Sequence, residues 1–155
     1  MSVNQTSCAK CGQDIEGFWP YRRGEAMGGR MFGHNPERGA VVAVEVNTKL
    51  AEHLRHEFPL TDVRAADFLR CNGDLGEFDR IVMNPPFENA ADIRHILHAL
   101  GMLKPGGRLV AICANGPRQR EALQPIATRW EDLPAGTFAN TGTQVNTALV
   151  VIDKD

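Results

Sequence analysis

Val41-Val42-Ala43-Val44-Glu45-Val46 runs directly into Asn47-Thr48-Lys49-Leu50-Ala51-Glu52-His53-Leu54-Arg55-His56-Glu57-Phe58. That succession decides the fold. The first six residues are a continuous, mostly β-branched run, which suits a strand covered on both faces. Asn47 is placed to cap a helix, because its short side-chain oxygen can accept the free N–H groups of a first turn. Leu50, Ala51, Leu54 and Phe58 then fall on one side of that helix, and Pro59 stops it. A doubly covered strand followed at once by an amphipathic helix is the building unit of a sheet with helices on both faces.

Downstream the pattern repeats. Asp62-Val63-Arg64 reads as a short strand and Phe78 to Met83 as another, ending at Asn84-Pro85-Pro86-Phe87. Asn89 is the expected cap of the next helix, whose stripe is Ile93, Ile96, Leu97, Leu100 and Leu103. Pro105-Gly106-Gly107 is expected to end it. Arg108 to Ala114 is a strand, Arg118 to about Thr128 a helix with Leu123 and Ile126 inward. Strands around Trp130 to Leu133 and over Thr147 to Ile152 close the chain. Residues 1–39 show no sustained period and read as an irregular segment; residues 40–155 read as one α/β domain. In such sheets ligands sit beyond the carboxyl ends of the strands. Glu45, Asp67 and Asn84 fall there.

The bulk numbers exclude several classes. A chain of 155 residues with 43% hydrophobic and 23% charged residues is ordinary for a globular domain. Its net charge of −2 argues against a protein that coats nucleic acid. No apolar run approaches a bilayer span, and Met1 to Lys10 has no apolar centre, so a cytoplasmic chain with no membrane contact is expected. The four cysteines, Cys8, Cys11, Cys71 and Cys113, are too scattered for a disulfide scaffold.

Asn84-Pro85-Pro86-Phe87 carries the chemistry. A residue before proline is pushed into extended backbone, and Asn84 and Pro85 both precede one. The result is a stiff segment. The Asn84 side-chain oxygen and the Pro85 carbonyl are two acceptors able to take both hydrogens of one NH2 group. Phe87 offers a flat apolar face for a ring. An exocyclic amine on a base is a poor nucleophile, since its lone pair is delocalised. Holding its hydrogens aside favours a pyramidal nitrogen whose lone pair can be aimed at an electrophilic methyl group. The plain alternative is a proline-rich turn that joins a strand to a helix.

At these residues the chain resembles the class I S-adenosylmethionine-dependent methyltransferases that act on exocyclic amino groups, in particular the N6-adenine DNA methyltransferase type with an NPPF motif, small phage-borne versions included. The similarity spans residues 40–155. It rests on Val41 to Val46, Ala66-Asp67-Phe68, Asp79 to Phe87, Leu103-Lys104-Pro105-Gly106-Gly107 and the closing strand. The resemblance implies a Rossmann-like fold, a mostly parallel sheet with an antiparallel last strand, and S-adenosylmethionine as cofactor. It implies that Asn84, Pro85, Pro86 and Phe87 form the catalytic loop. It implies that Glu45 holds the ribose hydroxyls, that Val46 packs on the cofactor adenine, and that Asp67, with Phe68 beside it, accepts from the adenine amine. DNA is the implied substrate and partner. Guanine N2 in RNA and a glutamine amide in protein are the close variants.

One piece departs from that pattern. The family begins with an apolar strand and a Gly-rich loop, and nothing before Val41 matches them. Gly28-Gly29-Arg30-Met31-Phe32-Gly33 is Gly-rich but has no strand before it, and Pro20 interrupts Phe18-Trp19-Pro20-Tyr21. The sheet is thus expected to lack its first strand, to take it from an unrecognised segment, or to take it from a partner chain or second copy. A catalytically impaired remnant or binding subunit is the corresponding second function. No metal is expected; Cys8 and Cys11 are half a zinc knuckle at most. His95 and His98 read as a solvated helix face. Arg22, Arg23, Arg30, Arg38, Arg118 and Arg120 are candidate phosphate contacts.

Overall fold

The structure, a computed structural model, describes residues 30–35, 40–139 and 144–155. Seven strands form one sheet in the order β3-β2-β1-β4-β5-β7-β6. The strands are β1 (Arg30–Asn35), β2 (Ala40–Glu45), β3 (Asp62–Ala65), β4 (Phe78–Asn84), β5 (Leu103–Ala114), β6 (Arg129–Asp132) and β7 (Thr147–Asp153). The helices are α1 (Thr48–Glu57), α2 (Ala91–Gly101) and α3 (Pro117–Leu123).

Val41, Val42, Ala43 and Val44 are all buried, as a continuous apolar run demands. Successive residues serve opposite faces. Ala43 joins Val63 and the α1 residues Ala51 and Leu54 on one face. Val42 and Val44 join Ile81, Met83, Leu109, Ala111 and Cys113 of the sheet on the other, beneath Ile96, Ala99 and Leu123. Helix α1 thus covers one face, and α2 with α3 the other. Each fully buried Leu or Ile stabilises this arrangement by about 1.5–3 kcal/mol. Asn47 caps α1 as expected, its Oδ1 accepting the N–H groups of Lys49 and Leu50 at 3.1 and 3.2 Å.

The sheet is mixed. β2 and β3 are parallel, as are β4 and β5, whereas β1 is antiparallel to both β2 and β4. β7 is antiparallel to β5 and to β6. So β2, β3, β4, β5 and β6 run one way, and β1 and β7 run against them. The antiparallel last strand is as expected. Of the alternatives for the first position, the structure shows the unrecognised segment: the slot between β2 and β4 is filled by Arg30–Asn35, in the reverse direction. No partner chain is needed to occupy it. That strand comes from the segment expected to be irregular; residues 1–29 and 36–39 lie outside the described residues.

Three local expectations also change. Asn89 does not cap α2. It takes φ 51°, Ala90 takes φ 55°, and Ala90 stands at the cap position with no side-chain bond. Leu103 belongs to β5, and Pro105-Gly106-Gly107 lies inside that strand as a bulge, where the register with β4 shifts. Gly106 adopts φ +74°, and a Cβ on Gly107 would meet the Lys104 carbonyl at 2.8 Å, so the bulge needs both glycines. Ile126 is outward, 40% exposed, because α3 ends at Leu123 and a 3-10 turn follows. Among the described residues no helix is long and apolar enough to cross a membrane.

Candidate active site

The carboxyl ends of β2, β3, β4 and β5 share one edge of the sheet. Glu45 ends β2 and Asn84 ends β4, and both are register partners of Arg30. They therefore stand two strand spacings apart, roughly 10 Å. Glu45 is fully buried, not a solvated strand-end charge, and its Oε1 accepts the Asn47 N–H at 2.8 Å. Val46, next in the chain, is 62% exposed. The Ala66 N–H donates to the Glu45 carbonyl at 3.1 Å, which draws the end of β3 against the end of β2. Glu45, Val46 and Asp67 are thereby brought to one place.

Asp67 is exposed and caps a 3-10 turn, its Oδ1 accepting the Leu69 N–H at 3.0 Å. Phe68 turns inward and is 4% exposed. Its ring stacks on His95 at 6.0 Å between centroids and meets His98 edge-on at 5.0 Å. His95 Nδ1–H donates to the Ala91 carbonyl and His98 Nε2–H to the Cys71 carbonyl, each at 2.7 Å. These histidines are half-buried struts between the Asp67 turn and α2. The solvated face expected for them is corrected: the turn packs directly on that side of the helix.

The Asn84–Phe87 loop leaves the sheet at the end of β4. Pro85 is buried, Pro86 exposed and Phe87 half-buried. The Asn84 Oδ1 atom is shielded from solvent and has no hydrogen-bond partner among the described residues. The same is true of the Oδ1 of Asn115, which follows β5, the parallel neighbour of β4. A buried oxygen without a donor costs about 1–3 kcal/mol relative to a satisfied one, so such atoms call for an explanation.

Asp92, Gln119, Gly116 and Asn115 were missed as site neighbours. Asp92 is 0% exposed, with donors on both oxygens. The signal was present: Asp92, Ile96 and Ala99 share a helical stripe, so one carboxylate stands in an apolar row. Arg120 is engaged by the Asp132 carboxylate at 2.9 Å and lies 5.5 Å over the Trp130 ring, while Arg118 is exposed. The Asp132 carboxyl is held below the usual carboxylate range, first by the Trp130 indole N–H and then by Arg120. Among the described residues no group of three or more His, Cys, Asp or Glu is placed to hold a metal ion; Cys8 and Cys11, with Arg22, Arg23 and Arg38, lie outside them.

No family model matches the sequence, and no curated protein matches it. Solved structures do. TrmN from Thermus thermophilus is 22% identical with a TM-score of 0.55, over 74% of this chain and 36% of that one. The M protein of the type I restriction enzyme EcoKI is 17% identical with a TM-score of 0.56, over 72% of this chain and 30% of that one. The N-methyltransferase NodS from Bradyrhizobium japonicum WM9, in complex with S-adenosyl-L-homocysteine, is 16% identical with a TM-score of 0.54, over 73% and 65%. The chain spans about a third of the length of the first two. At these identities the likeness establishes the fold: a Rossmann-like α/β sheet shared with methyltransferases.

Proposed function

We propose that this chain is an S-adenosylmethionine-dependent methyltransferase acting on an exocyclic amino group, with adenine N6 in DNA as the first substrate to test. One observation carries the reading: Asn84 ends a central strand at the ligand-binding edge and holds a buried acceptor that nothing among the described residues satisfies. A fold gains nothing from such an atom. A site that must accept an N–H from a ligand does.

The cofactor would supply an electrophilic methyl group. The residues at the edge fit it by their chemistry. Glu45 is buried with its Oε1 engaged by the Asn47 N–H, so its carboxylate would have to turn outward to meet a vicinal diol, while the exposed Val46 side chain offers an apolar face and the exposed Asp67 can accept from an amine. Phe68 would act from beneath, by fixing the Asp67 turn. At the other side of β1, Asn84 Oδ1 and the Pro85 carbonyl would accept the two amine hydrogens, with Phe87 against the ring. Because Oδ1 is shielded as it stands, the reading requires the Asn84 amide to turn outward as substrate enters. Rotation about its side-chain bonds moves the oxygen without moving the strand. A duplex substrate would also need its base extruded.

The neighbours support the general class. NodS is an N-methyltransferase, and another match at a TM-score of 0.51, with 17% identity, is the 23S rRNA methyltransferase ErmE. RNA guanine N2 and protein glutamine amides remain the variant substrates. One observation favours a second reading, a catalytically impaired remnant or binding subunit. β1 starts, rather than ends, at the carboxyl edge, so a Gly-rich loop following that strand would lie at the wrong end of the sheet.

Calorimetric titration with S-adenosylmethionine and S-adenosylhomocysteine separates the two. The enzyme reading expects micromolar binding, weakened in Glu45→Gln. No binding at millimolar cofactor sinks it. A methyl-transfer assay on adenine-containing single-stranded DNA, with Asn84→Ala as control, then tests the loop. Unchanged turnover in that variant would remove the role given to Asn84.

A further inference from the structure

Asp92 is the second residue of α2 and has no exposed surface. Its Oδ1 accepts the Ile93 N–H at 3.0 Å and its Oδ2 accepts the Ala114 N–H at 2.9 Å. The Gln119 amide nitrogen lies 3.1 Å from each oxygen. A buried carboxylate without a cation is tolerated only when its lone pairs are filled. Here the donors and the positive end of the helix fill them. They come from three elements: α2 itself, the carboxyl end of β5, and α3. Gly116 leaves the room, since a Cβ there would lie 2.9 Å from Gln119 Oε1.

Immediately upstream the backbone is strained. Asn89 and Ala90 both take left-handed φ values, 51° and 55°. Asparagine tolerates that region; alanine has no side-chain group to offset it, at a cost of about 1–2 kcal/mol. Such strain persists only where the surroundings over-determine it. The loop from Pro85 to Ala90 is held at one end by β4 in the sheet and at the other by the first turn of α2. That turn lacks a side-chain cap at Ala90, and Asp92 caps it from within.

We propose that Asp92, seated by Gln119 and the Ala114 N–H, is a positioning residue that pins the first turn of α2 to β5 and so holds the left-handed Asn89–Ala90 turn and, through it, the Asn84–Phe87 loop in place. Its consequence for catalysis rests on the methyl-transfer reading; the clasp itself does not.

The test uses the full chain and Asp92→Asn, which keeps the shape but turns one acceptor into a donor. Gly116→Ala, which crowds Gln119 and leaves Asp92 intact, is the second variant. Amide hydrogen exchange is read over residues 87–93, at Ala114 and over α1. Exchange at 87–93 and Ala114 is expected to quicken by about tenfold or more in Asp92→Asn, and less in Gly116→Ala, with α1 unchanged. In the methyl-transfer assay with S-adenosylmethionine and adenine-containing single-stranded DNA, kcat should fall by about tenfold or more while the cofactor KM stays within about twofold. Unchanged exchange at 87–93 in both variants overturns the clasp. So does equal quickening of α1 and α2, which would mark a general loss of stability. If Asp92→Asn does not fold, Gly116→Ala decides by the same criteria. A wild-type chain without turnover, but with the local exchange contrast, removes the methyl-transfer reading and leaves the clasp standing.

Discussion

Asp92 and Asn84 are both polar side chains at the carboxyl edge of one sheet, eight positions apart, and they are treated in opposite ways. Asp92 is sealed from solvent with donors on both oxygens, drawn from three elements. Asn84 has a shielded oxygen with no donor among the described residues. The first is how a fold treats a polar group that it needs for itself. The second is what the proposed reading expects of a group kept for a ligand, and among the described residues the Asn115 Oδ1 and Thr61 Oγ1 atoms are left unpaired in the same way.

The largest effect that sharpens this contrast is the loss of Asp92. Asp92→Ala strips partners from the Ala114 N–H and the Gln119 amide, and each buried unmet donor costs about 1–3 kcal/mol, so denaturant unfolding should show a loss of about 3 kcal/mol or more. A loss under about 1 kcal/mol would mean that the carboxylate is not structural. The neighbouring Cys113 gives a pH signature. Its thiol is pushed up to about 12, first by burial and then by the Asp92 charge. A folded value above the unfolded one means the fold favours the protonated thiol. Stability from this group is full below about pH 9, the ordinary thiol value, and is lost as pH rises through about 12. Denaturant midpoints from pH 8 to 11 should fall more steeply in the wild type than in Cys113→Ala; parallel slopes would contradict that.

How much of this was legible in the sequence differs by element. Val41 to Val44 was legible because a run apolar on both faces has one stable setting, and Asn47 because a cap is a local device. β1 was not. Met31-Phe32-Gly33-His34 lacks a β-branched run, and its strand state comes from hydrogen bonds to β2, which begins five residues after Asn35, and to β4, which is distant in sequence. Its reversed direction follows from that short separation, since the few residues between Asn35 and Ala40 cannot make the crossover that a parallel pair needs. Asn89 has the composition of a cap, but it and Ala90 take left-handed φ values, and Ala90 stands at the cap position instead. For the proposed site, the positions of Glu45, Asp67 and Asn84 at or just after strand ends were readable from the sequence. The inward turn of Phe68 and the ties of Asp92 depend on α2 packing against the Asp67 turn and β5.

Smaller effects test the strain and the rim. Ala90→Gly should raise stability by about 1 kcal/mol, because glycine takes φ 55° without the alanine penalty. A thermal scan showing destabilisation would say that the left-handed turn is not strained. At the far end of the sheet, Arg108 donates to both Asp153 oxygens at 2.6 and 3.0 Å. That pair holds the Asp153 carboxyl below its usual range, first through the Arg108 hydrogen bond. Its contribution is present above the ordinary carboxylate pKa and is lost as pH falls. Being exposed, it should be worth less than about 1 kcal/mol, so Asp153→Asn should barely move the midpoint at pH 7.

The contrast stands or falls on Asn84→Ala, measured by denaturant unfolding at neutral pH. If the oxygen is kept unmet for a ligand, its removal should leave stability unchanged or raise it by up to about 1–2 kcal/mol. A loss of more than about 1 kcal/mol would show that the fold itself uses that oxygen, and would contradict the account.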